Sequence, residues 1–354
     1  MVKPERPVRK RAVKTKGPAT ISDVAEAAGV STATVSRVLA ESSLVVEATR
    51  NRVLAAVASL HYAPNASATS LRRLTTDRIL VIVPDIANAF FSPILQAIEE
   101  AASREGYAVL IGDAQEKPDG DTQYATMLPR RIVDGLIVLS RSPPKALRGW
   151  IEAQPLLAPV VTALISDAST KISSVNIDDS RCGFQGMDHL IGLGHRHIAV
   201  LTAQEDWGVV RSRLRGVLEV AKSRGLLKHV VVEHGEFSVE SGIACAAKVL
   251  ARSPAPTALF CMSDSMAVGA SDFARRSGLR IPENLSILGF DDIAFAPYLN
   301  PPLTTINVPL RDIGREAMRL LLGVLQGKLT RRVVEILPHR LVIRGSTARV
   351  PAGH

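Results

Sequence analysis

The chain has 354 residues, 46% of them hydrophobic, and its 43 Lys+Arg against 34 Asp+Glu leave a net charge of +9. That length implies two or three domains, and the apolar content excludes disorder throughout. Three scattered cysteines, Cys182, Cys245 and Cys261, exclude a disulfide framework, and the lack of a long apolar run or secretory leader points to a soluble, cytoplasmic protein without membrane partners.

Residues 1–18 (MVKPERPVRKRAVKTKGP) hold seven Lys/Arg, three Pro and one Gly without periodicity. They read as a flexible basic arm. Residues 1–78 carry 13 Lys/Arg and 6 Asp/Glu, a net of +7, and the arm alone accounts for +6 of it. Such asymmetry fits binding to nucleic acid or another acidic surface, or a solvated tail.

Residues 19–63 read as three short helices. Thr20-Ile21-Ser22-Asp23 has capping-box spacing, so Thr20 and Asp23 are expected to satisfy each other's backbone N–H groups. Gly29 is placed to end that helix in the left-handed conformation. Ser31 caps a second helix over Thr32–Leu39, and a third follows over Glu47–Leu60. Ile21, Val24, Ala25, Ala28, Val30, Val35 and Leu39 form the expected core, with Val53, Leu54, Val57 and Leu60 inward from the third helix. Helix, glycine-containing turn, helix is the helix-turn-helix layout, although an ordinary helical hairpin has the same spacing. The small polar start of the second helix, Ser31 to Thr34, and Arg37 one turn later suit insertion into a major groove.

Residues 64–77 (PNASATSLRRLTTD) have the composition of a linker. From Arg78 onward short aliphatic runs alternate with helical stretches: RILVIVPD, YAVLIGDA, GLIVLS, PVVTAL, SSVNID, HIAVLTA, VVVEHGE, ALFCMS and LSILGFDD. Continuous runs between helices imply parallel strands buried on both faces. Nine exceed one open sheet, so the expectation is an N-terminal all-α headpiece followed by an α/β core of two doubly wound parallel-sheet subdomains.

TISDVAEAAGVSTATVSRVL strongly resembles the helix-turn-helix of the LacI/GalR family of bacterial transcription regulators. The resemblance runs from Ala19 to about Pro351, through HYAPNASATSLRR, RILVIVPDIANAFFSPILQAIEEAA, GHRHIAVLT, PTALFCMSDSMAVGA and IPENLSILGFDDI. STATVSRVL, RILVIVPDI and VLIGD look most like its cytidine repressor branch. The family fold implies a core of the type I periplasmic-binding-protein kind, with an N-subdomain of about 78–177 and 309–336 and a C-subdomain of about 178–308 and 337–354. It also implies a homodimer on palindromic operator DNA, no cofactor, and a small effector, a nucleoside or sugar, held between the subdomains.

By the same resemblance Thr32, Ala33 and Arg37 read bases, while Thr34 and Ser36 face the core or phosphates. Residues 64–73 match the family's hinge helix, with Ala68, Leu71 and Arg72 at the DNA and Leu71 as the minor-groove wedge. Effector candidates are Asn88, Phe90 and Phe91 after the first strand, Trp207, Phe237, Asp264 at a cleft edge, and Arg213 with Asp291. The last two are expected as a clamp from different strands, donating to and accepting from ligand hydroxyls. Relatives that bind sugars place polar pairs where this chain has Val161-Thr162-Ala163-Leu164 and a glutamine where it has Val308. Those departures leave room for a ligand with an apolar or aromatic part.

Enzyme motifs are poor. Gly192-Leu193-Gly194 lacks the third glycine of a dinucleotide fingerprint and precedes a strand. Ser142-Pro143-Pro144-Lys145 fits S-x-x-K only formally. His195-Arg196-His197 lacks further ligands at zinc spacing and reads as a solvated loop. A regulator, a small-molecule binding protein without a regulatory role, and an enzyme of doubly wound fold are the three classes, with the first favoured.

Overall fold

The computed structural model describes residues 19–39, 45–63, 75–114, 122–139, 143–154, 156–165, 172–204 and 208–350. The chain divides into two units, Met1–Thr75 and Thr76–His354. The basic arm and most of the hinge segment, with Ala68, Leu71 and Arg72, lie outside the described residues, as does Trp207.

In the first unit, α1 (Ile21–Ala28), α2 (Thr32–Leu39) and α3 (Glu47–Ser59) enclose Val24, Ala25, Ala28, Val35, Val38, Val53 and Ala56. The capping box is present: Thr20 N–H donates to Asp23 Oδ2 at 2.7 Å and Asp23 N–H donates to Thr20 Oγ1 at 3.4 Å. Gly29 ends α1 at φ 62°, and Val30 N–H donates back to Ala25 O at 3.0 Å. One expectation fails. Leu54 is 47% exposed, because Val53, Ala56, Val57 and Leu60 form the i, i+3, i+4, i+7 stripe and Leu54 lies one residue off it.

The second unit holds two six-stranded sheets. The first is built from β1 (Arg78–Val83), β2 (Ala108–Asp113), β3 (Gly135–Val138), β4 (Val160–Ala163), β5 (Ser173–Ile177) and β11 (Val334–Leu337), in the order β11-β5-β4-β3-β1-β2, all parallel. The second contains β6 (Ile198–Ala203), β7 (Val230–Gly235), β8 (Ala258–Cys261), β9 (Ser286–Asp291), β10 (Thr304–Asn307) and β12 (Arg340–Val342), in the order β12-β10-β9-β8-β6-β7. Here β12 runs antiparallel to β10, so this sheet is parallel except at that edge. Central strands are buried on both faces, as continuous apolar runs require, whereas β2 and β7, the last strands of their sheets, are largely half-exposed.

Helices α4 (Ser92–Arg104), α5 (Lys145–Glu152) and α10 (Leu310–Leu325) accompany the first sheet; α6 (Asp179–Gly192), α7 (Gly208–Ser223), α8 (Val239–Leu250) and α9 (Asp264–Arg276) accompany the second. The chain passes between the two layers three times, after β5, after β10 and after β11. A shift of one layer against the other therefore needs only those three crossings to change their dihedrals.

The α6 and α7 helices pack backbone to backbone. A Cβ at Gly183 would strike the Arg213 carbonyl, and one at Gly216 would strike the Ser180 carbonyl. At the C-terminus a second expectation fails. His195 is not solvated but 3% exposed. Its Nδ1 lies 2.9 Å from Thr257 Oγ1 and its Nε2 lies 3.1 Å from Ala348 O. The segment after β12 folds back over it and hides the ring.

Candidate functional site

On α2 the side chains divide by face. Val35 and Val38 are buried, Thr34 and Ser36 half-buried, and Thr32, Ala33 and Arg37 exposed. Thr34 serves the helix start: its N–H donates to Ser31 Oγ at 3.2 Å, and the two hydroxyls lie 2.9 Å apart. What remains outward is two small residues in the first turn and a long cation one turn later. This is the surface that a helix presents to base edges when its N-terminal end enters a groove.

The second constellation lies at the carboxyl end of β9. Arg213 is 6% exposed and sits on α7, not on a strand as expected. Its central carbon is 3.7 Å from the centroid of the Phe290 ring and 5.9 Å from that of Phe237. Nε donates to Asp179 Oδ1 at 2.8 Å and Nη1 donates to Met262 O at 2.9 Å. Among the described residues Nη2 has no partner, which leaves one edge of the guanidinium fork open.

Asp291 follows Phe290 and is 6% exposed. Its φ is +112° and that of Asp292 is +56°. Two successive non-glycine residues in positive φ concentrate backbone strain where a strand ends, a pattern common at binding sites. Burial pushes the Asp291 carboxyl well above the usual range, against the pull of Arg213, and Asp264 and Asp179 add to the push. Burial thus favours the protonated carboxyl, and a hydroxyl, which both donates and accepts, can pair with it in either state.

Asp264 is a correction. It is fully buried rather than at a cleft edge. Oδ1 accepts from Thr305 Oγ1 at 2.7 Å and Oδ2 accepts from Ile293 N–H at 2.9 Å. Burial raises its carboxyl to about 7, opposed by these hydrogen bonds. Gly289 is required opposite, since a Cβ there would strike Asp264 Oδ1. Asp264 ties α9 to β10 and to the loop after β9.

After β1, Asn88 Oδ1 accepts from Phe90 N–H at 3.1 Å and so closes its own turn. Phe90 and Phe91 meet edge to face, with centroids 5.0 Å apart. Phe91 is 7% exposed and belongs to the apolar cluster that also holds Phe290, whereas Phe90 is half-buried. Of the two, Phe90 has the more accessible ring. Val308 is buried, and its N–H donates to Asp291 O at 3.3 Å.

Sequence reasoning missed Asp179 and Phe290. Asp179 is the first residue of α6, with a carboxyl raised by burial and pulled down by Arg213. It also borders an open groove of about 460 Å³ that Arg211 and Arg215 line. No local motif marks it, because its partner lies 34 residues away. Phe290 had a signal, its place in GFDD beside Asp291, but an apolar residue ending a strand reads as core.

Comparison with known proteins places these features together. Residues 20–65 match the model of bacterial regulatory proteins of the lacI family, and residues 187–347 match a periplasmic binding protein-like domain. The HTH-type transcriptional repressor CytR of Escherichia coli (strain K12) is 38% identical over 343 residues, covering 96% of this chain and 100% of that protein. The chain belongs to the lacI family. The repressor PurR of Vibrio vulnificus (strain CMCP6), another HTH-type transcriptional repressor, is 34% identical over 337 residues, 94% of this chain and 99% of that protein. Among solved structures, a lac repressor dimer bound to operator and the anti-inducer ONPF superposes with a TM-score of 0.84 at 31% identity, covering 94% of this chain and 100% of that one. As a lacI-family member the chain is a DNA-binding transcriptional regulator and not an enzyme. Among the described residues no helix is long and apolar enough to cross a membrane.

Proposed function

We propose that this chain is a homodimeric repressor of a palindromic operator, whose affinity is set by a nucleoside or sugar bound beside Arg213 and Asp291. The observation that carries the effector reading is the Arg213 fork, buried over Phe290 with Nη2 open and a strained, buried Asp291 nearby. A donor edge, an acceptor and an aromatic floor are what a hydroxylated ring requires. Phe237 and Phe90 supply further apolar surface, and the uncharged end of β4 suits a ligand with an aromatic part.

On the DNA side, Thr32, Ala33 and Arg37 read bases while Thr34 and Ser36 sit toward core and backbone. Ala68, Leu71 and Arg72 engage the operator centre. Domain roles follow: arm 1–18, reader 19–63, hinge 64–77, and a sensing and dimerising core 78–354, whose N-subdomain is about 78–177 and 309–336 and whose C-subdomain is about 178–308 and 337–354. Two protomers place two readers on two half-sites, and the effector shifts operator affinity by a coupling free energy.

The test is a gel-shift titration of the full chain on a palindromic operator at fixed salt, repeated with ribonucleosides and pentoses. A change in operator affinity with one of these compounds, abolished by Arg213→Met, is the expected result. Operator affinity indifferent to the whole panel would overturn the effector reading and leave the DNA-binding assignment intact.

A further inference from the structure

We infer that Asp179 is a specificity-determining and positioning residue that makes the Arg213 pocket reject phosphorylated ligands and accept neutral, hydroxylated ones. The inference rests on the reading of Arg213 and Asp291 as the effector site.

The charge balance comes first. An arginine in a ligand pocket is ordinarily the group that captures phosphate or carboxylate, through two parallel N–H donors. Here Nε, one corner of the fork, is committed to Asp179 Oδ1 at 2.8 Å, and Nη1 to Met262 O at 2.9 Å. The two side chains of the ion pair are 7% and 4% exposed, so water does little to screen it. Arg213 is therefore charge-compensated before any ligand arrives: Nε and one Nη1 N–H are committed, and the remaining three N–H groups belong to a cation already paired with a buried carboxyl.

The neighbouring carboxyls add no positive charge to the site. Asp291 and Asp264 are both buried carboxyls, and Asp264 raises the proton affinity of Asp291. Phe290 beneath the guanidinium adds a ring whose face is negative. A dianionic phosphate placed there would meet the Asp291 carboxyl and a cation already compensated by Asp179. A neutral hydroxyl would meet one donor and one acceptor, which it can satisfy simultaneously.

Geometry keeps Asp179 in this role. It sits one residue inside α6, after Asp178, whose Oδ1 accepts from Arg181 N–H at 2.9 Å and so caps the helix. The close glycine packing between α6 and α7 holds the two backbones at a fixed separation. Were Arg213 to swing from Asp179 toward a ligand phosphate, the Asp179 carboxyl left behind would be buried and unpaired, which is costly. The filter is thus a fixed charge, set by one residue that never touches the ligand.

The experiment measures dissociation constants of the full chain by calorimetry for adenosine, cytidine, guanosine, uridine and ribose, and for the matching 5′-phosphates. Wild type is expected to bind at least one neutral member and to hold its phosphate at least about 100-fold more weakly. Asp179→Asn keeps an oxygen for Nε but removes the charge. It is expected to narrow that ratio to about 10-fold or less, whereas a merely structural role would weaken both ligands and leave the ratio alone. Circular dichroism and melting confirm that the variant is folded. If Asp179→Asn does not fold, the wild-type ratio still decides, because equal or tighter binding of the phosphate overturns the inference. A folded Asp179→Asn with the wild-type ratio overturns it too. If no member binds, or binding survives Arg213→Met, the effector reading itself fails, and the inference with it.

Discussion

The guanidinium of Arg213 sits over the ring of Phe290, its central carbon 3.7 Å from the centroid, while Nε is tied to Asp179. Arg213 thereby joins α7 to the end of β9 through a cation–π contact, and α7 to α6 through a buried ion pair. Both interactions are desolvated, so each is stronger than it would be at the surface, and each is costly to break from one side only.

That asymmetry sets the first expectation. Asp179→Leu with Arg213 retained leaves a buried, uncompensated charge and should destabilise the core by about 3–5 kcal/mol. Replacing both residues, Asp179→Leu with Arg213→Met, should cost clearly less than the sum of the two single changes. Urea unfolding of the four proteins measures the coupling. Additive losses would mean that the pair is not coupled energetically.

Arg37 is the exposed cation one turn into α2. Arg37→Ala should relax operator preference at one base pair in each half-site, by about 1–3 kcal/mol of discrimination, with folding unchanged. Competition binding against single-base operator variants reads this directly. A uniform loss across all variants would make Arg37 a phosphate-binding residue instead.

Gly29 ends α1 at φ 62°, and nothing lies within 4 Å of the position a Cβ would take. Gly29→Ala therefore meets no clash, and its cost is that of the left-handed backbone, about 1 kcal/mol. Hydrogen exchange over residues 21–39 should show roughly five-fold less protection, with the core unaffected.

Burial lowers the proton affinity of the His195 ring, and a backbone hydrogen bond to Ala348 only partly opposes it; His189 shifts the same way. The unfolded chain binds these protons more readily than the native one. Their contribution is therefore full above the ordinary histidine value of 6.5 and declines as pH falls from there toward the lowered native value. Asp264, raised to about 7, acts oppositely, its burden easing as pH falls. The difference between wild type and His195→Gln isolates the histidine. Melting temperatures from pH 7.5 to 5 should show wild type losing ground relative to the variant only below about 6.5.

The arm, 1–18, carries seven Lys/Arg. Its deletion should lower the salt slope of operator binding by about 0.9 for each phosphate that the arm would have neutralised, while leaving the ranking of operator variants unchanged. Titrations between about 50 and 200 mM salt on two operators test both halves of this expectation.

Much of the molecule was legible in the sequence wherever a signal is local. The Thr20–Asp23 box, Gly29 and the apolar periodicity of α1 and α2 each act within a few residues, and the structure has them in place. The nine aliphatic runs became strands β1 to β9, because only parallel strands covered on both faces need such continuous apolar stretches. Leu54 shows the limit of periodicity, since a helix of mixed polarity leaves its inward face ambiguous by one residue.

What tertiary structure alone decided is where polar groups find partners. His195 reads as solvent-facing from its neighbours Gly194 and Arg196, yet Ala348, 153 residues away, covers it. Asp264 reads as a cleft residue, yet Thr305 and Ile293 enclose both its oxygens from 41 and 29 residues off. Arg213 was marked by its motif, but its charge balance depends on Asp179. The sequence alone marked the headpiece helices and nine of the twelve strands among the described residues, because backbone preferences and apolar periodicity act over one or two turns of chain; the short β10, β11 and β12 are strands only where a neighbouring strand pairs with them. Only the fold decided which charges are compensated, because desolvation and ion pairing depend on groups that chain folding, and not proximity in sequence, brings within about 3 Å.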